Sequence, residues 1–274
     1  MEKIVLVGSY MAIVFVFLYI VKKIADGITR FDDDAAIEKE GNVAVALRRF
    51  GLYLGFCTAM AGVMNGGLSK LELTFFLMDG VIATAIFFAA NYLNDYVIIR
   101  GVRNNDLIRA GNIPTGMVEA GSFIATGVLL NGAFSGDVGN FLTAIVFFLL
   151  GQIMLVISVF LHQKIYRFDV TVAVKEGNMG AGLSVAGLLI AYSFILRTSI
   201  TGDFTGWVES LTFFVLTAAA GIVCLLLFQR LADVLFLPKT KISDQINSGN
   251  TAAMVLVQGV TLALALVISR IMSF

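Results

Sequence analysis

The dipeptide Gly-Asn recurs four times, at Gly41-Asn42, Gly111-Asn112, Gly177-Asn178 and Gly249-Asn250, at intervals of 70, 66 and 72 residues. Ten residues after each first Gly stands another glycine: Gly51, Gly121, Gly187 and Gly259. Four residues further on comes a small residue each time: Gly55, Ala125, Ala191 and Ala263. Self-similarity at a fixed period marks a repeat architecture. The chain must therefore build one supersecondary unit four times over.

That unit belongs in a membrane. The chain is 58% hydrophobic and 14% charged, with a mean hydropathy of +0.91, too little polar surface for a water-soluble domain. Its apolar stretches are long enough to cross a hydrocarbon layer of about 30 Å, which takes roughly 20 helical residues. Eight spans are expected: about Ile4–Val21, Val43–Met64, Leu73–Ile99, Ile113–Phe134, Val138–Leu161, Met179–Leu196, Trp207–Phe228 and Thr251–Ser269. The first is followed by Lys22-Lys23 without a small-x-small cleavage site, so it reads as a retained helix rather than a cleaved signal.

Net charge is zero, but it is unevenly placed. The segments leading into the Gly-Asn sites, with the first turns after them, carry fifteen of the 19 Lys and Arg, among them Lys39, Lys175 and Lys239. The other ends of the spans carry Lys3, Lys70, Arg197 and Arg270. By the positive-inside rule the Gly-Asn loops face the cytoplasm and both termini lie outside. Trp207 stands where an interfacial anchor belongs. Cys57 and Cys224 lie inside apolar spans, where lone cysteines act as small hydrophobes and make no disulfide framework.

Two helices per Gly-Asn copy give every copy the same orientation, so the repeats are parallel, not inverted. The copies group into two longer units. Arg30-Phe31-Asp32 precedes Lys39-Glu40-Gly41-Asn42, and Arg167-Phe168-Asp169 precedes Lys175-Glu176-Gly177-Asn178; copies two and four lack both strings. The expected fold is thus an all-α polytopic membrane protein of eight transmembrane helices. They form two tandem four-helix domains, 1–131 and 132–274, with a pseudo-two-fold axis and a weaker four-fold echo.

The string RFDDDAAIEKEGNVAVALRRFGLYLG from Arg30 to Gly55, with its echo from Arg167 to Ala191, resembles the YjfL-like inner-membrane family, domain-of-unknown-function family 350. The resemblance covers essentially the whole chain as two tandem copies. Copy three departs from the pattern at Gly180 and Gly182, where copy one has Ala44 and Ala46. The resemblance implies a bacterial cytoplasmic membrane protein, and it suggests a membrane-remodelling or stress protein as a partner.

Each repeated residue has a structural reading. Gly admits the backbone of a tight helix entry, and Asn is a preferred N-cap. Capping alone accounts for Gly41, Asn42, Gly111, Asn112, Gly177, Asn178, Gly249 and Asn250. The Gly-x-x-x-small pairs suit close helix packing in lipid. The even spans, richer in glycine, should form an inner layer; the odd spans carry Phe-Phe pairs and should face lipid.

Charges inside the spans point towards function, because they are expensive there. Arg49 and Glu119 both fall eight residues after their Gly, with Arg48 beside Arg49, while copies three and four have Val185 and Val257. They lie roughly 10–12 Å into their helices at 1.5 Å per residue. Either an arginine pairs with Glu119, or the arginines snorkel to the headgroups; snorkelling is favoured. A second set, Asp26, Asp95, His162 and Asp233, falls fifteen or sixteen residues before each Gly. A carboxylate ring at a pore mouth would attract cations, although pairing of Asp26 with Lys22 and Asp233 with Arg230 is the plainer account.

The acidic run Asp32-Asp33-Asp34 with Glu38 and Glu40 lacks calcium-loop spacing and reads as a solvated loop face or a docking site for a basic protein. A single His162 excludes a multi-histidine metal site, and no P-loop, Rossmann or nucleophile-elbow motif occurs. No enzymatic activity, cofactor, metal or nucleic acid is expected. Besides the lipid bilayer, the candidate partners are a second copy of the chain and a cytoplasmic protein on the Asp32–Glu40 loop. The leading expectation is passage of a small solute, foremost a cation; the alternative is a non-transporting scaffold.

Overall fold

The computed structural model describes residues 2–64, 69–101, 103–135, 141–201, 204–238 and 240–273. Val138, where the fifth expected span begins, and Lys239 lie outside them. Twelve helices and no strand occur among the described residues. Eight are long and apolar enough to cross a membrane: α1 (Glu2–Ile28), α3 (Val43–Val63), α4 (Lys70–Ile98), α6 (Ile113–Phe134), α7 (Phe141–Tyr166), α9 (Met179–Ile200), α10 (Trp207–Phe236) and α12 (Thr251–Ile271). The first, fifth and seventh spans run a turn or two past their expected ends, because α1, α7 and α10 continue through polar residues on the Gly-Asn side, whereas α4 ends at Ile98.

The other four helices are short: α2 (Asp33–Glu38), α5 (Asn104–Arg109), α8 (Val170–Lys175) and α11 (Ile242–Asn247). Each fills the connection before a Gly-Asn pair, where a plain loop was expected. Asp32 and Asp169 cap α2 and α8 by accepting the Ala35 and Val172 N–H groups at 3.0 Å. The first residue of every short helix is buried: Asp33, Asn104, Val170 and Ile242. Each short helix is therefore pinned under its inner helix rather than left in solvent.

At the junctions, Gly41, Gly111, Gly177 and Gly249 all have positive φ, between 64° and 82°, a conformation that glycine adopts without a Cβ clash. The following Asn Oδ1 then accepts the N–H three residues on, at Val45, Thr115, Ala181 and Ala253. Capping is not the whole role, however. Asn42 Nδ2 donates to the Ile108 and Arg109 carbonyls, Asn112 Nδ2 to Val174, and Asn178 Nδ2 to Ile246 and Asn247. Each of these asparagines ties its own repeat to the next.

The inner helices pack in the sequence α3, α6, α9, α12. They form a row, with α3 and α12 as its ends, not a ring about an axis, and no four-fold arrangement arises. Along the row the glycines allow backbone contact: a Cβ on Gly51 would strike Ala120, one on Gly121 Ala186, and one on Gly187 the Gln258 side chain. Gly55 abuts the Phe123 carbonyl, and Gly127 abuts Gly55; Ala125 and Ala191 are fully buried. Gly259 departs from the expected packing role, since nothing lies within 4 Å of the Cβ position there; Ala263 is exposed. The row simply ends at α12. Accordingly 78% of the apolar window is buried in α6 and in α9, but 33% in α12.

Candidate functional site

The buried charges gather in the first half of the chain, between α1, α3, α4, α6 and the short helices α2 and α5. Because α2 starts at Asp33, that carboxylate points under the first two turns of α3. Arg48 Nη2 donates to Asp33 Oδ1 and Oδ2 at 3.0 and 2.9 Å, and Arg48 Nη1 donates to Asn105 Oδ1 at 2.6 Å. Arg49 Nη2 reaches both Asp33 and Asp26 at 2.5 Å. Lys22 completes the group, bonding Asp26 at 3.1 Å and Asp34 at 2.6 Å.

Three cations thus meet three aspartates, and neither expectation for the arginines holds. Both guanidinium groups are buried, at 6% and 5% exposure, and neither pairs with Glu119. Asp33 supersedes both alternatives, because a two-oxygen acceptor with matching geometry lies within bonding distance of both guanidinium groups. The Asp32–Glu40 segment is correspondingly not a freely solvated face: Asp32 is a cap, Asp33 is at 2% exposure, and Asp34 is tied to Lys22.

Glu119 and Asp95 are what remains. No lysine or arginine forms an ion pair with either among the described residues. They lie near enough to interact with one another, and the Asn104 side chain faces both. Asn104 is buried and its amide interacts with both carboxyls, while Nη1 of Arg49 is buried without a hydrogen-bond partner among the described residues. A cleft of about 550 Å³, part of it open to the surroundings, runs among Asp33, Arg48, Arg49, Asn91, Asp95, Asn105 and Glu119.

A neutral polar cluster continues from this cleft towards the opposite side. Asn94 Nδ2 donates to Ser122, Thr126 and Gln152 at 3.2–3.3 Å, Ser122 and Thr126 hydroxyls donate to Asn91 Oδ1 at 3.3 Å, and Gln152 Nε2 donates to Thr126. All five residues are buried. On α6 the polar positions Thr115, Glu119, Ser122 and Thr126 recur at helical spacing, so they share one face. That periodicity was readable in the sequence. Asn104 and Asn105 gave no such signal.

The remaining expected site residues lie elsewhere. His162 is buried in the second half, its Nε2 2.8 Å from Ser184 Oγ and its ring against Tyr166 and Phe168. Asp233 accepts the Ile242 N–H at 3.2 Å; Arg230, its expected partner, instead lies over the Tyr166 ring. Asp26 and Asp95 therefore belong to the charged group of the first half, whereas His162 and Asp233 are engaged separately in the second, and the four form no common ring. No cluster of three or more metal-binding side chains occurs among the described residues.

The two halves correspond to two matches of a single family, described as Domain of Unknown Function (DUF350), over residues 1–134 and 137–272. The chain belongs to this family. Both DUF350 copies together are also similar to a UPF0719 transmembrane protein of Aquifex aeolicus (strain VF5), 23% identical over 256 residues, covering 88% of this chain and 92% of the relative. No solved structure matches. The charged cleft belongs wholly to the first DUF350 copy, and the polar cluster reaches Gln152 of the second.

Proposed function

We propose that this integral membrane protein binds and passes a small cation, proton included, through the first DUF350 copy. The supporting observation is the pair Asp95 and Glu119, which form no contact ion pair among the described residues and share only the field of Arg48, itself bonded to Asp33. Two such carboxylates beside the Asn104 amide offer oxygen ligands and a negative potential, which a cation or a bound proton would neutralise. The Asn91, Asn94, Ser122, Thr126 and Gln152 cluster supplies further oxygen atoms beyond mid-helix. The route follows the α4–α6 seam, since a row of inner helices encloses no central channel. In this reading the protein resides in the bacterial cytoplasmic membrane with the Gly-Asn loops and the cleft mouth on the cytoplasmic side, an orientation that the fifteen-to-four bias of basic residues supports. It performs no covalent chemistry.

The scaffold alternative needs the Asp32–Glu40 segment free to recruit a partner, yet three of its acids are engaged within the protein, which leaves Glu38 and Glu40.

Purified protein in liposomes should pass at least one monovalent or divalent cation, or protons. Glu119→Gln and Asp95→Asn should each abolish that flux, while Asp233→Asn, at the equivalent place in the second copy, retains it. Absence of flux for every cation, or full flux in both variants of the first copy, would overturn the reading.

A further inference from the structure

The row of inner helices ends without closing, and its two ends are complementary. Three times along the row one repeat grips the next by the same contacts. Its Asn side chain donates to the last carbonyls of the next short helix. The Gly ten residues after its Gly-Asn glycine lies against the residue nine after the glycine of the next repeat: Gly51 on Ala120, Gly121 on Ala186, Gly187 on Gln258.

The middle instance joins α6 to α9, and so joins one DUF350 copy to another. These surfaces therefore hold whole domains together, and not only the helices within a domain.

At the far end the same gripping surface is vacant. Asn250 Nδ2 has no following repeat and turns back to Gln245 of its own repeat at 2.6 Å. Gly259 has nothing within 4 Å, and around it Val255, Leu256, Leu266 and Val267 are 46–57% exposed. At the near end the receiving surface is vacant. Its short-helix carbonyl, fifth in α2 as Ile108 is in α5, is that of Ile37, and its ninth residue is Phe50, 57% exposed, with Leu54 one turn on at 44%. The shapes match, a projecting ring at one end and an open small-residue groove at the other. In the third contact the ninth residue is already a long side chain, Gln258, lying across its glycine.

We propose that copies of this chain associate head to tail in the membrane plane, α12 of one copy packing on α2 and α3 of the next as each repeat packs on its successor. Asn250 then donates to the Ile37 carbonyl, and the Phe50 ring lies in the Gly259–Ala263 groove. The contact is heterologous, so it builds a ring where the rotation closes and a linear array where it does not. Close packing of small against large side chains is what drives such association in lipid.

The test uses the full chain in membranes, with Cys57 and Cys224 replaced by alanine. Leu54→Cys and Ala263→Cys are then introduced singly and together, and oxidative cross-linking is followed on gels. The double variant should give a ladder of multimers. The two single variants mixed should give only dimers, and each alone should give no product. Adding Gly259→Leu to the double variant should remove the ladder. Dimers from Ala263→Cys alone would mean a symmetric α12–α12 contact and would overturn the proposal, as would absence of any product. Unmodified chain, labelled at its terminus and diluted in vesicles, provides a second reading: multi-step photobleaching is expected, and single steps throughout would equally overturn it.

Discussion

The two DUF350 copies share a backbone plan and differ in what fills it. Where the first copy begins its short helices with Asp33 and Asn104, the second has Val170 and Ile242, all four buried. Where the first places Arg48 and Arg49 on α3, the second has Ser184 and Val185 on α9; where the first has Glu119, the second has Val257. Asp26, bonded to Arg49, corresponds to His162, bonded to Ser184. The second copy shows that residues other than Arg, Asp and Glu, mostly apolar with a bonded His162–Ser184 pair, suffice for this packing. Buried charge is therefore not required by the fold, and replacing an ion pair with well-packed apolar residues is often neutral or stabilising. Packing alone does not account for the charges of the first copy, which supports placing the proposed binding site there.

The sharpest way to break this comparison is to convert one copy into the other in steps. Asp33→Val alone leaves the buried Arg48 guanidinium without a carboxylate, and Arg49 with Asp26 only, and should lower stability by about 3–5 kcal/mol. Adding Arg48→Ser and Arg49→Val, the second copy's own residues, should recover most of that loss. Denaturation in mild detergent reads both effects. A triple variant no more stable than the single would mean that the first copy's backbone itself depends on the charges.

This contrast also explains what the sequence revealed. Eight spans, two tandem units and the capping role of Gly-Asn were legible, because hydropathy, period and N-cap chemistry are local properties. The partner of Arg48 and Arg49 was not, because Asp33 sits among four other acids in a segment that reads as solvated. Its neighbours Asp32 and Asp34 have the same composition and quite different surroundings. Only the start of α2 decides that Asp33 points inward. Nor could a repeat count distinguish a row from a ring: the same Gly-x-x-x-small pairs serve both, and the empty space at Gly259 appears only once the helices are placed.

A second comparison, between glycines inside the row and the one at its end, carries a smaller effect. Gly127 faces the Gly55 backbone, so Gly127→Ala forces the α3–α6 contact apart and should destabilise by about 1–3 kcal/mol. Gly259→Ala meets nothing in the single chain. There the better helix propensity of alanine, up to about 1 kcal/mol, should leave stability unchanged or raised. Equal losses at both positions would contradict the open-ended row.

The smallest expected difference lies at the rim of the charged group. A hydrogen bond from Lys22 Nζ, at 2.6 Å, holds the Asp34 carboxyl below its ordinary range, with partial burial opposing. A folded-state pKa below the unfolded value of about 3.9 means that this stabilisation is fully present above that value. It is lost as pH falls through the lower folded value. Because Asp34 is exposed, the contribution stays below about 1 kcal/mol. The second copy has Thr171 at this place, whose hydroxyl accepts the Arg100 N–H at 3.0 Å and does not titrate. Asp34→Asn should therefore flatten the acid side of the stability profile slightly, whereas Thr171→Val should lower stability by a similar amount at every pH. A pH-dependent loss in the Thr171 variant, or an unchanged acid slope in the Asp34 variant, would show that the rim of the first copy is not set by Lys22.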